Sequence, residues 1–179
     1  MAMRNPLSRA LSRFRRDERG TVLVEMAIIA PLMFVLSAGV FEFGNLIHNK
    51  LLMEAGLNDG ARFAARCNSQ LYTDAGLAAI NCSDIATNIA VFGNVAGTGS
   101  ARVKGWQKAN VTVTIADPSG CRNAIDPGTG TVLYLSTTAQ VCIVTAAGSL
   151  AYNGIGMLAL LGFGPITLTA SHEERLIRF

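Results

Sequence analysis

The longest apolar pattern in the chain runs from Thr21 to Phe41, TVLVEMAIIAPLMFVLSAGVF, with Glu25 its one charged residue. As a helix these 21 residues span ~31 Å, matching a bilayer hydrocarbon core of ~30 Å. The run is longer than the apolar core of a secretory signal peptide, and no Ala-x-Ala cleavage site follows it. It therefore reads as a retained membrane anchor. From Leu46 to Arg66 no proline intervenes and the pattern becomes amphipathic. Leu46, Met53, Leu57, Ala61 and Ala64 fall in a stripe roughly 80° wide at ~100° per residue, with His48, Asp59 and Arg66 on the far side. Together the two patterns predict one helix of about 45 residues, half in lipid and half outside it. Pro31 removes one backbone hydrogen bond and predicts a kink, which bilayer helices tolerate. Gly39, Gly44, Gly56 and Gly60 lower the intrinsic stability of the helix but permit close helix–helix approach.

Beyond this helix the periodicities are shorter. Leu77, Ile80, Ala86 and Ile89 recur near helical spacing and predict a short helix from Asp74 to Val91. Gly93–Gly105 reads as a glycine-rich connector. Val111, Val113 and Ile115 alternate with Thr112 and Thr114, predicting a strand over Asn110–Ala116. Asp117-Pro118-Ser119-Gly120 and Asp126-Pro127-Gly128 are turn signals. A longer strand is expected over about Thr131–Thr145 and a last one over Ile166–Ala170, closing before the charged tail His172–Phe179. From Pro127 to His172 run 46 residues without Asp, Glu, Lys or Arg. Within them Ile143–Phe163 is nearly long enough for a second membrane span. Its glycines, Asn153 and β-branched first part favour a buried strand followed by a short apolar helix at Ile155–Leu161. The fold class expected is α+β: a long N-terminal transmembrane and amphipathic helix, then a small β-rich extracytoplasmic domain. Its parts are a basic leader (1–20), a transmembrane helix (21–45), an amphipathic continuation (46–66) and an outer domain (67–179).

Charge fixes the expected orientation. The chain carries +3 overall, but residues 1–19 hold six arginines against Asp17 and Glu18, a local +4, leaving −1 for the rest. A basic segment directly before an apolar run is held on the cytoplasmic side, so membrane lipid rather than nucleic acid is its expected partner. Half the residues are apolar and only 15% charged, against roughly 25% in soluble domains. The expected location is the bacterial cytoplasmic membrane, single-pass, with the C-terminal part periplasmic or otherwise extracytoplasmic. Four cysteines, Cys67, Cys82, Cys121 and Cys142, suit that oxidising side, and none forms a Cys-x-x-Cys pair that would suggest zinc. Three disulfide connectivities are open. Nearest-neighbour pairing is expected because each pair brackets a short excursion, and buried free thiols are the alternative.

At the junction of leader and anchor stands Arg19-Gly20-Thr21-Val22-Leu23-Val24-Glu25. A glycine after basic residues, then apolar residues with Glu at the fifth place, resembles the prepilin peptidase site of type IV pilins and their relatives. Gly20 offers no side chain to obstruct a protease at the membrane face. Glu25 lies about one turn inside the apolar run, where an ionised carboxylate is costly and needs a partner. Cutting after Gly20 creates an α-amino group on Thr21, one turn from that carboxylate. Three further blocks occur in order: Pro31 in Ala-Pro-Leu, Glu42-Phe43-Gly44, and Asp59-Gly60-Ala61-Arg62-Phe63-Ala64-Ala65. With these the segment from about Arg16 to Arg66 resembles the TadE-like family of the tight-adherence (Tad) pilus system. The ending Ile166-Thr167-Leu168-Thr169-Ala170-Ser171 also looks like the end of such proteins. The middle, about 67–160, carries no such likeness, and the 20-residue leader is longer than is usual for type IV pilins. The resemblance implies a minor pilin-like protein (pseudopilin) that is processed by the prepilin peptidase and helps assemble an adhesive pilus. It implies partners among other pilin-like subunits and Tad assembly components. It also implies that Glu25 meets the N-terminal amine of a neighbouring subunit. A related family adds a large von Willebrand factor A-like domain, for which this chain is too short.

Other signals point to no chemistry. Gly154-x-Gly156-x-x-Ala159 fits a dinucleotide fingerprint nominally but lacks the βαβ context. Gly97-Thr98-Gly99 lacks the Gly-Lys-Ser/Thr ending of a phosphate loop. The only histidines, His48 and His172, have no Ser or Cys elbow motif beside them and read as solvated surface residues. Trp106, between Lys104 and Lys108, reads as a half-buried loop anchor rather than a nucleic-acid or lipid contact. No catalytic set, cofactor or metal site is expected, so the chain reads as a structural protein and not an enzyme. The runner-up is a single-pass envelope binding module or adhesin unrelated to pili. Cleavage at Gly20–Thr21 discriminates the two.

Overall fold

The computed structural model describes residues 19–115, 120–133, 140–154, 156–160 and 162–177. Residues 1–18, Ala116 with the turn residues 117–119, residues 134–139 of the expected Thr131–Thr145 strand, Ile155, Leu161 and the last two residues lie outside these.

Helix α1 runs unbroken from Arg19 to Arg66, 48 residues, with Pro31 inside it. Its apolar run is left largely uncovered by the described chain: Val22, Leu23, Phe34 and Phe41 are exposed. It is the one described helix long and apolar enough to cross a membrane, with a mean hydropathy of 2.2 over its most apolar stretch. The second half is the spine of a folded head. Met53, Leu57, Ala61 and Ala64 are fully buried and Leu46 packs on the same core, so the stripe read from spacing is the buried one.

The cysteines pair as nearest neighbours, Cys67–Cys82 and Cys121–Cys142. The first bond turns the chain back just past the end of α1. Between its cysteines lies a short helix α2 (Ser69–Asp74), capped by the Asn68 side chain. Helix α3 (Cys82–Phe92) begins eight residues later than the expected Asp74 start. Two local features explain the shift: Gly76 takes φ +74°, which ends α2, and the Asn81 carboxamide accepts the Asp84 N–H as a new N-cap. Leu77 and Ile80 thus fall outside helix despite their spacing. Gly93 closes α3 in the left-handed conformation.

Among the described residues four antiparallel strands complete the head: β1 (Val111–Ile115), β2 (Cys121–Asn123), β3 (Gln140–Tyr152) and β4 (Ile166–Arg175). All of the other three pair with β3, β4 along 143–152, β1 along 144–148 and β2 along 140–142. Strand β3 lies further along the chain than expected. In place of a second span, Ile143–Tyr152 is strand, followed by one helical turn, α4 (Met157–Leu160). Strand β4 also outruns its expected end at Ala170, because its ladder with β3 continues through Ser171 and His172 to Arg175. The buried side chains Val144, Ala146, Leu150, Tyr152, Leu168 and Ala170 alternate with half-buried or exposed ones, as a sheet packed on one face requires. That face lies on α1, and β1 packs on α3.

Trp106 is 2% exposed, not the half-buried anchor expected. Its ring fills the space left by two missing side chains. A Cβ on Gly56 would come within 3.2 Å of it, and one on Gly148 within 3.1 Å.

Candidate functional site

The N-terminal motif sits at the start of α1. Gly20, Thr21 and Glu25 are exposed and helical, and Thr21 and Glu25, four residues apart, share a face. Further along, Gly39 and Gly44 would meet nothing within 4 Å if they carried a Cβ. Gly60 differs: its Cβ would lie 2.7 Å from the Ala86 carbonyl oxygen of α3. At Gly56, which shares that face, it would collide with the Ala90 carbonyl. So two of these glycines seat α3 within the chain, and the other two lie on the open part of α1. Of the histidines, His48 is exposed and His172 lies 3.5 Å from Glu174. Lys108 pairs with Asp84 at 2.7 Å, and Arg102 with Asp59 at 2.7 Å, tying the connector to the helices.

A second cluster forms where the apolar run ends. Glu42 is 1% exposed, one residue beyond Phe41. Its carboxylate accepts the backbone N–H of Met157 at 3.3 Å, and its backbone carbonyl accepts the Tyr152 hydroxyl at 3.1 Å. The same phenol oxygen accepts from the Asn45 amide at 3.0 Å, so both its hydrogen-bonding roles are filled. Burial pushes the Tyr152 pKa above its ordinary value, with the Glu42 side chain adding to the rise, and the phenol remains a donor at neutral pH. Gly154 is what lets the carboxylate in, since any Cβ there would overlap Glu42 Oε1. Together these residues clasp the β3–β4 loop to α1.

Three contacts set the head's position along the helix. Glu42 meets Met157 and Tyr152, the Lys50 ammonium donates to the Thr169 carbonyl, and the Ile177 N–H donates to the Ala65 carbonyl at 2.8 Å. Strand β4 therefore runs in the same direction as α1, its start beside the apolar half and its end beside the helix terminus. The role of Glu42 was not foreseen from the sequence, where it figured only as part of a resembling block. The usable signal was its angle: stepping back one turn from Leu46 along the buried stripe lands on Glu42.

No curated protein and no solved structure matches the chain. A family does: residues 20–62, nearly all of α1, match the model of the family described as TadE-like protein.

Proposed function

We propose that this chain is a minor pilin-like subunit of a Tad-type adhesive pilus, stored in the cytoplasmic membrane by the first half of α1. The observation that carries the reading is the family match over 20–62, which falls on the one described helix long and apolar enough to cross a membrane. The arginines of residues 1–19 support an N-terminus on the cytoplasmic side, and the two disulfides support a head on the oxidising side. The prepilin peptidase cuts after Gly20, releasing a Thr21 amine beside Glu25. In a bundle of such helices the Glu25 carboxylate of one subunit meets the Thr21 amine of another. Each then offsets part of the other's desolvation, so association satisfies what the lone subunit cannot. The head supplies contacts to other assembly components.

Intact-mass measurement of the protein from cells with an active prepilin peptidase tests this. The expected mature chain starts at Thr21. Retention of residues 1–20 in such cells would overturn the pilin reading.

A further inference from the structure

The loop joining β3 to β4 is the end of the head nearest the apolar half of α1. From Asn153 to Pro165 it has no charged residue, whereas the opposite end of the same sheet carries Glu173, Glu174 and Arg175. Phe163 is 57% exposed, and Pro165 near it is also exposed. Neither is covered by the sheet or by α1.

The clasp fixes how high this loop sits. Met157 and Tyr152 are bonded to Glu42, immediately past the Thr21–Phe41 run. If that run fills the hydrocarbon core, Glu42 stands in the headgroup layer, and a loop bonded to Glu42 stands there too. Exposed Phe41 and Phe43 flank Glu42 at the same level. Apolar groups at that depth gain by entering the outer ~5–10 Å of the bilayer, as interfacial segments do.

We propose that the β3–β4 loop is a second, interfacial membrane contact, with Phe163 immersed at the headgroup–acyl boundary and the Glu42 clasp holding it there. The inference rests on the reading of α1 as the anchor. One point of attachment leaves a head free to tilt, and two define its orientation on the bilayer.

The test uses the full chain in phosphatidylcholine vesicles whose acyl chains carry bromine at a shallow or a deep position. Single tryptophan substitutions are compared above the signal of Trp106, the chain's only tryptophan. Phe163→Trp is expected to be quenched strongly by shallow bromine and weakly by deep bromine. Leu77→Trp, 60% exposed and beside the far end of α1, is expected to be unquenched. Phe34→Trp reports the anchor and is expected to be quenched by deep bromine. Quenching of Phe34→Trp with none at Phe163→Trp overturns the interfacial contact alone. A Phe163→Trp residue shielded from water yet unquenched also overturns it, in favour of a neighbouring protein surface. No quenching at Phe34→Trp overturns the anchor reading, and the inference with it.

Discussion

Two glutamates bracket the apolar half of α1, and their settings differ. Glu42 is buried, bonded to the Met157 N–H, and enclosed because position 154 is glycine. Glu25 is exposed along the open part of the helix. A buried carboxylate with partners is settled within its own chain, whereas one exposed to lipid awaits a partner from outside. Glu25→Gln is therefore expected to leave membrane insertion intact, since removing a charge from an apolar helix lowers its transfer cost. Assembly should suffer, because a neighbour's Thr21 amine would lose its counter-charge at a cost on the order of 3–5 kcal/mol, a hundredfold or more in association. Co-purification with other pilin-like subunits, at matched expression and processing, measures this. Wild-type recovery would mean that Glu25 makes no such pair.

Among the elements, α1 and the alternating strand β1 were the most legible, and the limits of β3 and β4 the least. The buried stripe Leu46–Ala64 follows from helical geometry alone, because periodicity over several turns leaves one face for the core. The start of α3 was missed because Leu77 and Ile80 continue an apolar spacing that the Asn81 cap and Gly76 interrupt, and local capping outweighed a weak period. Strand β4 was cut short because His172-Glu173-Glu174-Arg175 looks like a solvated tail. Only its pairing with β3 shows that charged residues there alternate along the sheet. The clasp was harder still to foresee, since it joins residues more than a hundred positions apart. The glycines of α1 give the sharpest element-scale test. Gly56→Leu must push α3 and the Trp106 ring aside, and is expected to destabilise the head by about 1–3 kcal/mol. Gly39→Leu, in open space, is expected to leave head stability unchanged. Unfolding of the detergent-solubilised protein, followed by Trp106 fluorescence, distinguishes the two. Equal stability of both variants would show that α3 does not seat on Gly56.

At the scale of the whole molecule, the sheet changes the reading of the long uncharged stretch. Its first part is β3, hydrogen-bonded on both sides, and its continuation is a loop clasped to α1. On the proposed reading of α1 as a single span with its N-terminus inside, the C-terminus belongs outside. A reporter enzyme fused after Phe179 that folds only outside the cytoplasm is expected to be active. Cytoplasmic activity from a complementary fusion would overturn this placement. The unbroken course of α1 from Arg19 to Arg66 also has a mechanical consequence. A flexible linker between anchor and head would absorb an axial push as a change in chain entropy. A helix has no such slack: each residue's advance, about 1.5 Å, is delivered whole to the other end. On the proposed reading, force applied to the anchoring half of α1 therefore arrives at the head as displacement, and drawing the head outward lifts that half from lipid by the same distance.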